Sequence, residues 1–176
     1  MLRLYLVRHG IAEDVPEGTR FADPTRPLTE KGRRRFRRIA HRLARLGDEI
    51  DSIYTSPALR AVQTAELLAA ALHQDAVRVL DELRSDGAAT ALLERLQDLS
   101  GGGIALVGHK RQLCELAALL AHSTDEEAAQ IKFRRGAIVR IDLIGRQGAA
   151  GKPRWWIRPA NGSLCEGLPV DADLAG

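Results

Sequence analysis

Short apolar runs alternate along this chain with stretches of helical period, and that alternation limits the possible folds more than any single motif. Residues 2–7 form an apolar-rich run with β-branched and aromatic members, stopped by Gly10, which predicts a central strand. Thr29 is placed to cap a helix whose apolar positions Phe36, Ile39, Ala40, Leu43 and Leu46 share one face, with Gly47 as its stop. A short strand is expected at 53–55. Ser56 then reads as a cap and Pro57 as the first residue of a helix continuing to about residue 72. Strand, helix and strand recur at 77–80, 88–99 and 104–107, and a further helix runs from about 111 to 122. Residues 137–144 and 154–158, separated by a Gly-rich loop, read as a β-hairpin at the sheet edge; alternation through Val139, Arg140, Ile141, Asp142 and Leu143 gives it one buried and one wetter face. The expected architecture is α/β: a three-layer α/β/α sandwich with a mostly parallel central sheet and a C-terminal edge hairpin.

At 176 residues the chain is long enough for one full core and short for two, so residues 1–176 are read as one domain with an irregular tail from about 161. Its longest apolar stretches are too short to span a bilayer, and residues 1–10, carrying Arg3 and Arg8, lack the plan of a signal peptide. A cytoplasmic location is the expectation. Two cysteines, Cys114 and Cys165, are too few for a disulfide framework or a Cys-based zinc site; Cys114 reads as a small core residue on a helix. His41, His73 and His122 fall in or near helix ends and read as surface or capping residues. The net charge of +3 and the basic run Arg33, Arg34, Arg35, Arg37, Arg38 keep a polyanion or nucleic-acid binding module in view. That run has no interleaved aromatics for base stacking, and its helical phase places it mostly on the solvated side.

Three segments lie where a predicted strand ends: Arg8-His9-Gly10, Ser56-Pro57-Ala58-Leu59-Arg60 and Gly108-His109. In open α/β sheets ligands bind beyond the carboxyl ends of the strands, so two imidazoles and two guanidiniums are expected at one place. With Ser56 as cap, Arg60 occupies the fourth helical position and leans back toward a helix start that already favours an anion. Arg8 adds a second planar fork suited to phosphate oxygens. Gly101-Gly102-Gly103 lacks the Lys-Ser/Thr that completes a phosphate-binding loop and reads as a turn before a strand.

Arg8-His9-Gly10 after the first strand, Ser56-Pro57 followed by Arg60-Ala61-Val62-Gln63-Thr64-Ala65, and Val107-Gly108-His109 together resemble the histidine phosphatase superfamily, with its phosphoglycerate mutase-like fold. Arg26-Pro27-Leu28-Thr29 before a helix containing Gly32, and Leu80-Asp81-Glu82-Leu83, make the chain similar to the SixA-type phosphohistidine phosphatase branch, over residues 2 to about 158. The resemblance implies a nucleophilic role for His9, phosphate-clamping roles for Arg8, Arg60 and His109, no metal and no cofactor. It also implies a double displacement through phospho-His9. Glu82 is the implied general acid, with Asp86 as a nearby competitor, and Arg26 is a third positive contact from the long loop at 11–28. The implied partner is phosphohistidine on a protein. A small phosphate ester is the alternative substrate, and Lys110-Arg111 after His109 departs from the pair often found there, which bears on substrate preference.

Overall fold

A computed structural model describes residues 1–14, 23–99, 101–144 and 150–171. Part of the long loop expected at 11–28 and the loop inside the expected hairpin therefore lie outside the described residues. The order of elements is β1 (Leu2–Arg8), α1 (Glu30–Ala44), β2 (Ser52–Thr55), α2 (Leu59–Leu72), β3 (Arg78–Val79), a 3₁₀ turn at Asp81–Leu83, and α3 (Ala89–Arg95), which tightens into a second 3₁₀ turn. There follow β4 (Gly103–Gly108), α4 (Lys110–Ala121), α5 (Asp125–Gln130), β5 (Ile138–Leu143), β6 (Gly151–Ile157) and β7 (Leu164–Glu166).

Among the described residues seven strands make one sheet in the order β3-β2-β4-β1-β5-β6-β7. The β3-β2-β4-β1 side is parallel, and β5, β6 and β7 extend it antiparallel, so the sheet is mixed. Period-two alternation sorts the strand residues into two layers. Leu4, Leu6, Ile104 and Leu106 pack with Leu92 of α3 and Leu113, Leu116 and Leu120 of α4. Tyr5, Val7, Ala105 and Val107 pack with Phe36, Ile39 and Leu43 of α1 and with Ala61, Ala65 and Leu68 of α2. Each large side chain so buried contributes about 1.5–3 kcal/mol against exposure. The result is the expected three-layer α/β/α sandwich.

The register of the two central strands builds the carboxyl rim of the sheet. β1 and β4 run parallel with Arg8 opposite Gly108, and the amide of His9 donates to the carbonyl of Gly108 at 3.1 Å. The next residues on the two strands, His9 and His109, are thereby set side by side at that rim.

Two local readings change, and one short element is added. The hydroxyl of Ser56 is taken up by a tertiary contact, and Ala58 with ψ 132 is the residue that precedes the helix, so α2 starts at Leu59 without a side-chain cap. Arg60 is therefore the second helical residue and not the fourth. The tail expected to be irregular from 161 contains β7, because Asn161 accepts from the amide of Ser163 at 3.0 Å and Gly162, at φ +76, turns the chain back along β6. Asp125–Gln130 forms a short helix through a reciprocal capping box between Thr124 and Glu127.

Other readings hold. Thr29 caps α1 by accepting from the amide of Gly32 at 2.8 Å. Gly32 is required by close approach, since a Cβ there would lie 2.1 Å from the carbonyl oxygen of Ile11. His73 and His122 close α2 and α4 in the left-handed conformation at φ 55 and φ 51. Trp156 is buried while its neighbour Trp155 is half-buried against Tyr5, as alternation along a strand requires.

Candidate active site

The two rim histidines meet. Their ring centroids are 5.4 Å apart and their planes are tilted by 60°. Both rings are buried, with 8% and 6% residue exposure for His9 and His109.

The Nδ1 of His9 lies 2.7 Å from the carbonyl oxygen of Gly10. A carbonyl only accepts, so Nδ1 carries the proton and Nε2 keeps its lone pair. Burial drives the pKa of His9 down to about 3, helped by the positive field of Arg60 and Arg8 and by His109, against the opposing pull of the Gly10 hydrogen bond. His9 is thus a neutral imidazole of defined tautomer at physiological pH.

His109 is held from two sides. Its Nε2 is 2.9 Å from the hydroxyl of Ser56, and its Nδ1 is 3.4 Å from Nη2 of Arg60. A guanidinium only donates, so Nδ1 is the accepting nitrogen and Nε2–H donates to Ser56. Burial lowers the His109 pKa to about 4, with Arg60, Arg8 and Arg26 pushing the same way and Asp23 opposing. Three guanidiniums therefore act on one ring.

The start of α2 organises the pocket through side chains at positions i, i+3 and i+4 on one face. Arg60 is almost fully buried and turns to His109 and Asp23. Gln63 accepts from the amide of Leu28 at 2.8 Å. Thr64 accepts from the amide of Gly10 at 3.0 Å and donates to the carbonyl of Arg60 at 2.6 Å. One helical turn thus fixes both the loop after β1 and the segment leading into α1.

Arg8 sits deeper. Its Nη1 donates to the carbonyl of Phe133 at 2.6 Å, and burial together with Arg135 lowers its pKa to about 10. Arg26 reaches in from the loop, donating to the carbonyl of Glu13 at 2.9 Å and pairing with the carboxylate of Asp23. The structure therefore brings together Arg8, His9, Arg26, Arg60 and His109. It does not bring Glu82 into that group: the Glu82 carboxylate pairs with Arg95 at 3.6 Å, and its backbone carbonyl accepts from Gln112. Asp86 pairs with Arg84 at 3.5 Å. Arg111 is engaged along the outer side of α4 by Glu115 and the carbonyl of Gly87.

Two contributors are absent from the sequence reading. Asp23 carries the carboxylate that faces Arg60 and Arg26, and Ser56 holds His109 where a helix cap was expected. An Asp three residues before Arg26, in a loop followed by Pro24, is a local signal only for a turn.

Among the described residues no group of three or more His, Cys, Asp or Glu side chains is arranged to hold a metal ion. The cluster instead suits a tetrahedral anion: planar guanidinium donors surround a neutral nucleophilic nitrogen. No helix among the described residues is long and apolar enough to cross a membrane.

Comparison with known proteins agrees with this geometry. The family model of the histidine phosphatase superfamily (branch 1) matches residues 4–85, which hold β1, α1 and α2 with Arg8, His9 and Arg60. An uncharacterized protein of Picosynechococcus sp. is 41% identical over 145 residues, covering 77% of this chain and 87% of the relative. The phosphohistidine phosphatase SixA of Escherichia coli is 28% identical over 169 residues, 95% of this chain and 100% of its own length. A structure of the protein histidine phosphatase SixA complexed with tungstate superposes with a TM-score of 0.79 at 27% identity, covering 91% of this chain and 99% of that one. A neutral histidine and a second imidazole among arginines at the rim of this sheet, with the family match spanning the first half of that site, place the chain in the histidine phosphatase superfamily, branch 1, as a phosphatase.

Proposed function

We propose that the chain is a phosphohistidine phosphatase acting on a phosphorylated protein through a phospho-His9 intermediate. The observation that carries this reading is the hydrogen bond from His9 Nδ1 to Gly10, which leaves Nε2 as the unprotonated nitrogen in an arginine-lined pocket. Attack by Nε2 forms a P–N bond on His9 as the substrate's own P–N bond breaks, and the departing imidazole takes a proton from solvent. Water then attacks the phosphorus and gives a proton to solvent. The P–Nε2 bond breaks, the electron pair returns to His9, and inorganic phosphate leaves.

Arg8, Arg60 and Arg26 bind the non-bridging oxygens, and their hold strengthens as charge shifts in the transition state. His109 lies beside them with its accepting Nδ1 turned toward Arg60; a bound dianion raises its proton affinity and converts Nδ1 into a donor to the phosphoryl oxygens. Glu82 serves as proton donor only where the leaving group is an alkoxide, and doing so requires it to turn from Arg95. The similarity to SixA over 169 residues supports the choice of phosphohistidine. A phosphomonoesterase acting on a small ester uses the same five residues and is the alternative to be tested.

The test is trapping. Brief incubation with a ³²P-labelled phosphohistidine peptide followed by alkaline quench should leave acid-labile label on His9, and none on His9→Ala. Turnover of that variant near the parent's would refute the nucleophile. Comparison of kcat/KM for the peptide with values for sugar and nucleotide phosphates decides between the two substrates, and addition of a chelator is expected to leave each rate unchanged.

A further inference from the structure

One half-exposed carboxylate bridges two of the guanidiniums. Asp23 offers Oδ2 to Nη2 of Arg60 at 2.9 Å, and Oδ1 pairs with Arg26. Its backbone carbonyl accepts from Nη1 of Arg60 at 2.5 Å, and the carbonyl of the next residue, Pro24, accepts from the amide of Leu59 at 2.8 Å. The Asp23-Pro24 dipeptide thus closes the open start of α2 from outside, at the position where no side chain of α2 itself provides a cap.

Arg60 cannot be placed by its own helix alone. An arginine has several rotatable bonds, and this one is 3% exposed, so an unpaired guanidinium at that depth has every reason to turn toward water. On one side it meets His109 at 3.4 Å, and on the other it is held by two oxygens of Asp23. Each carboxylate oxygen takes one arginine, so Asp23 fixes Arg60 relative to Arg26 as a spacer fixes two prongs.

Charge leads to the same role. Arg8, Arg26 and Arg60 supply three positive charges beside two neutral imidazoles. With Asp23 counted, the pocket carries a net +2, which a phosphoryl dianion neutralises. Without it the pocket is over-positive for a product that must leave.

From these contacts we infer that Asp23 is a positioning residue for phosphoryl transfer, aligning the Arg60 and Arg26 guanidiniums on the group being transferred while staying in place when that group binds. This rests on the assignment of His9, Arg60 and His109 proposed above. The carboxylate does not touch the reacting atoms in this role. The contrary role is that of a stand-in anion which the substrate must expel, and the two differ in sign.

The experiment measures kcat and KM with a phosphohistidine peptide, inhibition by tungstate, and melting temperature, for the parent, Asp23→Ala and Asp23→Asn. A positioning role gives a fall in kcat of about 10²-fold in Asp23→Ala with KM moving less than about threefold, as expected when a binding group is displaced by about 1 Å. Asp23→Asn, which keeps one acceptor oxygen for Arg60, is expected to recover activity to within about tenfold of the parent, and tungstate should bind more tightly to Asp23→Ala. A kcat in Asp23→Ala within threefold of the parent overturns the inference, whether or not the melting temperature falls. A lowered KM with raised kcat overturns it in favour of the stand-in anion. Label trapping on the parent separates the two levels: no label on parental His9 means that the proposed function has failed, whereas a labelled parent with an equally fast Asp23→Ala means that only Asp23 has been misassigned.

Discussion

Helix starts in this molecule are of two kinds. Those of α1 and α5 are closed by their own sequence: Thr29 accepts from Gly32, and Thr124 and Glu127 cap one another. Those of α2, α3 and α4 follow Ala58, Ala88 and His109 and have no side-chain cap. Of these three, α2 and α4 begin at the rim where His9 and His109 meet. Capping a helix start satisfies its amides and removes its attraction for an anion. At the rim, the start of α2 is instead met by a neighbouring segment, with the amide of Leu59 donating to the carbonyl of Pro24 at 2.8 Å. On the proposed mechanism, substitutions at the rim starts of α2 and α4 should be read out in rate, and substitutions at the self-capped starts of α1 and α5 in stability.

The sharpest attempt to break that distinction is Arg60→Ala at the start of α2. On the proposed mechanism the lost guanidinium is a transition-state contact, so kcat/KM should fall about 10²–10³-fold, or about 3–4 kcal/mol. The variant also removes a buried charge, which limits the stability loss. A rate within tenfold of the parent, measured with a phosphohistidine peptide, would show that the α2 start is merely structural.

Much of the fold and of the rim cluster is legible in the chain. Strand and helix periodicity located the two layers, and three strand-end motifs located Arg8, His9, Arg60 and His109, because local pattern and tertiary role coincide there. Ser56 misled because Ser-Pro is a locally sound helix opening. Only the fold shows that its hydroxyl belongs to His109 and that ψ at Ala58 holds off the helix for two more residues. Asp23 was invisible for the same reason: its partners at Arg26 and Arg60 come from a loop and a helix, and no spacing along the chain joins all three. β7 is three residues long and finds its partner by turning at Gly162, too short a run for periodicity to register. Glu82 shows the converse, since its motif is local and its carboxylate pairs with Arg95 instead of joining the cluster.

A smaller effect tests the cost of keeping rim imidazoles neutral. The folded pKa of His9, about 3, lies below the ordinary histidine value near 6.5, so on acidification the unfolded chain takes up its proton first. Stability held above pH 6.5 is consequently lost as pH falls from there toward 3. At pH 5 the loss attributable to this ring reaches up to about 2 kcal/mol, from about 1.4 kcal/mol per pH step. Urea unfolding of His9→Asn should show a correspondingly shallower decline between pH 7 and pH 5. In the parent at pH 5.5, long-range ¹H–¹⁵N spectra should report both rim rings as neutral. A charged His9 ring at that pH would remove the free nucleophile on which the proposed mechanism depends.

The smallest effect is expected at a closed start. Thr29 accepts from the amide of Gly32 at 2.8 Å and donates to the carbonyl of Ile11 at 3.3 Å, so Thr29→Ala removes a helix cap and a tether to the segment after His9. Cap removal costs about 1 kcal/mol, which for a chain of this size lowers the melting temperature by about 2–4 °C. The loop after His9 retains its other ties, from Thr64 to Gly10 and from the amide of Thr29 to Ile11, neither of which uses the Thr29 hydroxyl. The kcat should therefore stay within about twofold of the parent even though Thr29 is closer in sequence to His9 than Arg60 is. A large fall in kcat with an unchanged melting temperature would mean that α1 also belongs to the reactive rim, and the separation between closed and open helix starts would be lost.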